Sequence, residues 1–175
     1  MVDRPTSDAE IRAACPGIRT WLYKDLARAV SRGDLVSLPI AILYETSPGF
    51  GHWVGLLETP EGIEHFDSYG LRPDDELRWV PKKYREAFRA ESPHLVDYLL
   101  RLQAHRRYVG GDPRINYSQF RLQGRKPWIA TCGRWVVLRC RNSALTAEQF
   151  AKNVRGTARD LGISPDQLVT RLVPL

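Results

Sequence analysis

The chain predicts an α+β fold, because its apolar pattern runs as helices, then short strands, then helices again. A doubly wound parallel sheet would instead alternate strand and helix throughout. Two further observations support this class. The 175 residues, 43% apolar and 26% charged, suit one globular domain with its own core and argue against disorder. No internal repeat or low-complexity linker divides them, so residues 1–175 are expected to form a single domain. The expected architecture is a small central antiparallel or mixed sheet packed by helices.

Each element has its own signal. Ser7 with Glu10 three residues later forms a capping box for a short helix that stops at Pro16-Gly17. Trp21, Leu22, Leu26, Ala29 and Val30 recur at helical spacing, which predicts a helix over 18–32 closed by Gly33. Three short strands follow, Leu35 to Tyr44, His52 to Leu57 and Gly62 to Phe66, separated by Ser47-Pro48-Gly49 and Thr59-Pro60-Glu61-Gly62. Residues 71–91 carry no clear pattern. Ser92-Pro93 opens a helix bearing Leu95, Val96, Leu99, Leu100 and Leu102. Asn116 to Gln123 has strand character, and Cys132 to Arg141 has the apolar density of a buried helix. Thr146 with Gln149 and Ser164-Pro165 with Gln167 begin the last two helices.

Composition excludes several functions. No apolar run approaches the roughly 20 residues that span a bilayer, and the polar, acid-bearing start carries no visible signal peptide. An intracellular protein is expected, and no membrane partner. Three cysteines, Cys15, Cys132 and Cys140, without a CxxC pair support neither a disulfide framework nor a zinc site. The net charge of +6 is uneven. Residues 101–141 hold ten basic side chains against Asp112 alone, a local balance of +9. That segment points to a polyanion such as DNA, with Arg106, Arg107, Arg121, Arg125 and Lys126 as candidate contacts.

Three pieces of sequence sit at the ends of predicted elements. Gly51-His52-Trp53 places a histidine at the start of an apolar strand. Phe66-Asp67-Ser68-Tyr69-Gly70 places an acid at the end of the next strand, 15 residues on. Thr131-Cys132-Gly133 places a cysteine at the head of an apolar helix. Cross-strand neighbours lie roughly 5 Å apart, so Asp67 can fix the tautomer and orientation of His52. The helix dipole and a nearby imidazolium favour the thiolate of Cys132, which is the nucleophilic form. Gly133 leaves room for a substrate carbonyl to approach backbone N–H groups. Taken singly, His52 is compatible with an ordinary strand histidine, Asp67 with a turn cap and Cys132 with a small buried hydrophobe.

Together these residues resemble the cysteine peptidases of the adenovirus maturation protease and SUMO-protease clan. In that clan the catalytic order is histidine, acid, glutamine, cysteine, and His52, Asp67 and Cys132 follow it over 81 residues. The flanking Trp53, Phe66, Ser68 and Gly133 match as well. The resemblance implies a glutamine before the cysteine that helps bind the oxyanion. Gln123 is the candidate and Gln119 the alternative, although eight residues separate Gln123 from Cys132, more than the clan commonly shows. It also implies that the residue after the histidine, Trp53, lines a narrow cleft admitting small side chains.

The resemblance therefore implies a thiol endopeptidase cleaving beside Gly or Ala, with no required cofactor and possible activation by DNA. Its partner would be a viral or phage structural precursor. Three other functions fit the same residues: a SUMO-type isopeptidase acting on ubiquitin-like conjugates, an acetyltransferase using the same triad, and a non-enzymatic basic nucleic-acid-binding domain. Cys15 and Cys140 are expected to be structural, His65, His94 and His105 to be surface or core residues, and Trp135 to be core. Asp74, Asp75 and Glu76 are expected to form an exposed acidic run.

Overall fold

The computed structural model describes residues 4–35, 37–87, 94–126 and 128–175. Its centre is two tight hairpins of apolar, β-branched sequence, β2 (Ile40–Ser47), β3 (Phe50–Thr59) and β4 (Gly62–Phe66), all antiparallel. Gly62 turns the second hairpin with φ +99°, and a Cβ there would lie 2.4 Å from the Arg114 carbonyl oxygen. Two parallel edge strands, β1 (Arg19–Leu22) beside β2 and β5 (Ile115–Tyr117) beside β4, complete a mixed sheet ordered as in sequence. The α+β class with a central mixed sheet is what the sequence predicts.

Side chains alternate across the strands, so each face of the sheet buries one set. Ile40, Ile42, Tyr44, Val54, Leu56 and Ile63 pack with α2 (Tyr23–Arg32) and α4 (His94–Tyr108). Ala41, Leu43, Trp53, Leu57 and Phe66 pack with α1 (Asp8–Ala14), α5 (Cys132–Arg141), α6 (Ala147–Asp160) and α7 (Pro165–Leu172). A short helix, α3 (Lys82–Ala87), follows a 3-10 turn over Asp75–Trp79. Among the described residues no helix is long and apolar enough to cross a membrane.

Four expectations need correction. The helix over 18–32 begins only at Tyr23, because Arg19–Leu22 pair in parallel with Ile40–Leu43; sheet pairing overrides helical spacing. The strand expected from Leu35 starts at Ile40, just past Pro39, which has no N–H to give a ladder. The strand expected over 116–123 stops at Tyr117, because β4 ends at Phe66 and leaves the later residues no partner. Ser118 still donates to the His65 carbonyl, and Leu122 and Gln123 donate to that of Ser68. Asp74 and Glu76 are not exposed: Glu76 is fully buried, and Asp74 accepts from Tyr23, Tyr44 and the Leu95 and Val96 amides. The Ser92-Pro93 helix start lies outside the described residues.

Two attachments fix α5. At its C-terminal end, fully buried Arg139 grips both oxygens of fully buried Glu64 on β4 at 2.9 and 2.7 Å. The same guanidinium donates to the carbonyls of Asn142 and Leu145, so four of its five N–H protons are engaged. Along its side runs the N-terminal segment. Arg134 donates to the Arg4 carbonyl at 3.1 Å, Arg141 donates to that of Ala14, and the Cys15 and Cys140 sulfurs touch at 2.7 Å.

Candidate active site

Cys132, His52 and Asp67 come together where α5, β3 and β4 end. The His52 Nε2 and Asp67 Oδ1 atoms are 2.7 Å apart, both residues buried. The same Oδ1 accepts the Tyr69 amide at 2.8 Å. Asp67 therefore caps its turn and orients His52 at once. Tyr69 stacks on the imidazole at 4.9 Å between centroids and Trp79 meets it edge-on at 5.8 Å, leaving the ring little freedom.

The electrostatics favour an ion pair. Burial alone would lower the His52 pKa, but hydrogen bonds with Asp67 and Cys132 outweigh it and raise the value to about 10. Burial would raise the Cys132 pKa, yet the hydrogen bond and charge of His52, with the Trp53 and Gly133 amides, bring it below its ordinary value. Asp67 is held low despite burial by His52 and the Tyr69 amide. These directions favour a thiolate beside an imidazolium and a carboxylate over three neutral groups.

Cys132, at the head of α5, borders a cleft. Thr131 occupies the N-cap position, but its side chain makes no capping bond; its hydroxyl donates to buried Asp166 at 2.6 Å. Asp166 also accepts from the Trp135 indole and the Gly124 amide. This carboxylate, from the first turn of α7, braces the loop before the cysteine. Nothing in the local sequence signals it, because its partners lie 31 to 42 residues away.

Gln123 reaches the site and Gln119 does not. Gln123 is buried, accepts the Ser68 hydroxyl at 2.6 Å, and donates to the Tyr69 hydroxyl and the Ile129 carbonyl, each at 3.2 Å. Gln119 is exposed. Within the described part of the intervening stretch, Ile129 turns its carbonyl back to the Gln123 amide. A cleft of about 500 Å³ contains His52, Trp53, Tyr69, Trp79, Gln123 and Cys132. Trp79, which the sequence left unassigned, is thus part of the cleft.

Gly133 is small for a different reason from the expected one. It does not line the cleft, and a Cβ on it would lie 2.6 Å from the Thr6 Cβ. Its missing side chain admits the N-terminal segment, whose Thr6 carbonyl also accepts the Trp53 indole at 2.9 Å. Pro5 and Thr6 themselves border the cleft.

The basic residues divide into two sets. Arg121, Arg125 and Lys126 line one hollow of about 780 Å³ together with exposed Trp128. Arg106 and Arg107 lie at the end of α4 and do not line it; Arg106 is half-buried and ion-paired with Glu58. Arg134 and Arg139, part of the +9 segment, are buried and structural.

Known proteins were compared with the chain. It is 36% identical over 154 residues to a Sputnik virophage protein named "Uncharacterized protein V9", covering 86% of this chain and 83% of that one. The chain belongs to the same family as that virophage protein. No family model matches it, and no solved structure gives a significant match.

Proposed function

We propose that the chain is a cysteine endopeptidase that cleaves beside small residues and processes viral or phage structural precursor proteins. The observation that carries this reading is the contact series Cys132, His52, Asp67 beside a cleft at the head of a helix. In the proposed reaction the Cys132 thiolate attacks the scissile carbonyl carbon, and the oxyanion forms beside the α5 N-terminal amides and the Gln123 side chain. The His52 imidazolium gives its proton to the departing amine as the C–N bond breaks. Water, deprotonated by His52, then cleaves the thioester, releasing the acid and restoring the thiolate. Asp67 holds the ring in register throughout.

Aromatic walls from Phe50, Trp53, Tyr69 and Trp79 bound the cleft, which suits a substrate with Gly or Ala at the cleaved bond. The virophage relative supports the viral setting. The hollow lined by Arg121, Arg125 and Lys126 supports a polyanion, DNA included, as an activator beside the cleft rather than as the main substrate. The test is a set of Gly- and Ala-rich peptides with wild type, Cys132→Ala and His52→Ala. Cleavage by wild type alone, with slowed electrophile labelling of Cys132 in His52→Ala, is the expected result. Acetyl transfer from acetyl-coenzyme A without peptide cleavage, or labelling indifferent to His52, would overturn it.

A further inference from the structure

Behind the triad lies a buried group of titratable side chains that the reaction above does not use. Glu76, on the 3-10 turn, and His65, on β4, are both fully buried, with His65 Nε2 and Glu76 Oε1 3.8 Å apart, too far for a hydrogen bond. Among the described residues, no other residue donates a hydrogen bond to either oxygen of Glu76, on which only its own amide bears, and none donates to the second oxygen of Asp67, Oδ2. Both nitrogens of His65 are likewise without a partner among the described residues. Asp67 and Glu76 lie within hydrogen-bonding reach of each other. Two buried carboxylates facing each other without a donor would repel, and a single shared proton removes the conflict.

The surroundings decide which carboxyl holds that proton. Asp67 Oδ1 already has His52 and the Tyr69 amide, so Asp67 is the better anion. Glu76 faces Asp67 and His65 on β4, with His52 on β3 and Tyr44 on β2 nearby. We propose that Glu76 is a neutral carboxylic acid that donates its proton to Asp67 Oδ2, and so acts as a positioning residue for the triad. This rests on the peptidase reading only for its consequence in catalysis. Burial, and then the charge of Asp67, raise the Glu76 pKa to about 9, while burial lowers that of His65 to about 4. Both directions agree with a neutral acid beside a neutral imidazole. With Oδ1 and Oδ2 each engaged, the Asp67 carboxylate has one orientation left.

The test uses the whole chain and three variants. Infrared difference spectra of wild type against Glu76→Gln should show a protonated-carboxyl stretch at pH 7 that belongs to Glu76 and disappears as pH passes about 9. Glu76→Leu, which has no donor, should slow Cys132 labelling and peptide cleavage about 10- to 100-fold, as removal of an outer-shell partner does. Glu76→Gln, whose amide can donate to Oδ2, should recover most of that loss. Asp67→Asn should shift the Glu76 titration downward, because the charge that raises it is gone. Absence of the infrared band at pH 7, or a Glu76→Gln variant as slow as Glu76→Leu, would overturn the assignment. The band is read without any substrate, so its loss is distinguishable from failure of the peptidase reading.

Discussion

At His52, burial and hydrogen bonding act in opposite directions on one proton, and hydrogen bonding prevails. The consequence is a pH profile. The proposed cleavage needs Cys132 as thiolate and His52 as imidazolium. As pH rises, activity should climb on a limb below 9.0, because Cys132 titrates below its ordinary value, and should fall on a limb near 10 as His52 loses its proton. In Asp67→Asn the alkaline limb should move down, and kcat/KM should drop by roughly 10²-fold or more. A profile of kcat/KM against pH for both proteins checks this, and an alkaline limb that stays in place would refute the role given to Asp67. His52, Asp67 and Cys132 were legible in the sequence because each sits beside a distinctive neighbour at an element's end. Glu76 was not, since its burial comes from a 3-10 turn with no hydrophobic period, and neighbouring acids ordinarily signify a solvated run.

The elements show how local signals and long-range pairing share the work. All three capping boxes form, at Ser7, Thr146 and Ser164, because each needs only residues three apart. β1 was hidden, because its partner strand begins 21 residues later at Ile40 and the same apolar residues also fit a helix. The contact of the N-terminal segment with α5 was equally invisible, although Gly133 was its trace in the sequence. Gly133→Ala should push Thr6 away from the head of α5 and cost about 1–3 kcal/mol, the usual range for overpacking. Thr6→Gly, which removes the clashing Cβ, should be nearly silent alone and should recover much of the loss in the double variant. Denaturant unfolding of the four proteins measures this coupling. Strict additivity of the two changes would mean that the contact is unimportant.

At the scale of the whole molecule, charge is sorted between structure and surface. Of the +9 segment, Arg134 and Arg139 are buried, Arg106 pairs with Glu58 and Arg114 pairs with Asp112. Arg121, Arg125 and Lys126 remain exposed in one hollow that shares Gln123, Arg125 and Ile129 with the proposed active-site cleft. Composition alone could not separate these sets, because an arginine's partner is set by the fold. DNA should raise the cleavage rate at low salt and lose that effect as salt increases, and Arg121→Gln and Lys126→Gln should each reduce the salt slope by about 1. Cleavage indifferent to DNA and salt would remove the polyanion from the picture. The buried pair of Arg139 and Glu64 has a further meaning at this scale. Glu64 lies three residues before Asp67, and Arg139 seven residues after Cys132, so the pair joins two short arms whose other ends are Asp67 and Cys132. The spacing of thiol and carboxylate is therefore set like the jaws of pliers, by a pivot in the dry interior. Substitutions among the cleft residues should therefore leave that spacing in place as long as the pivot holds.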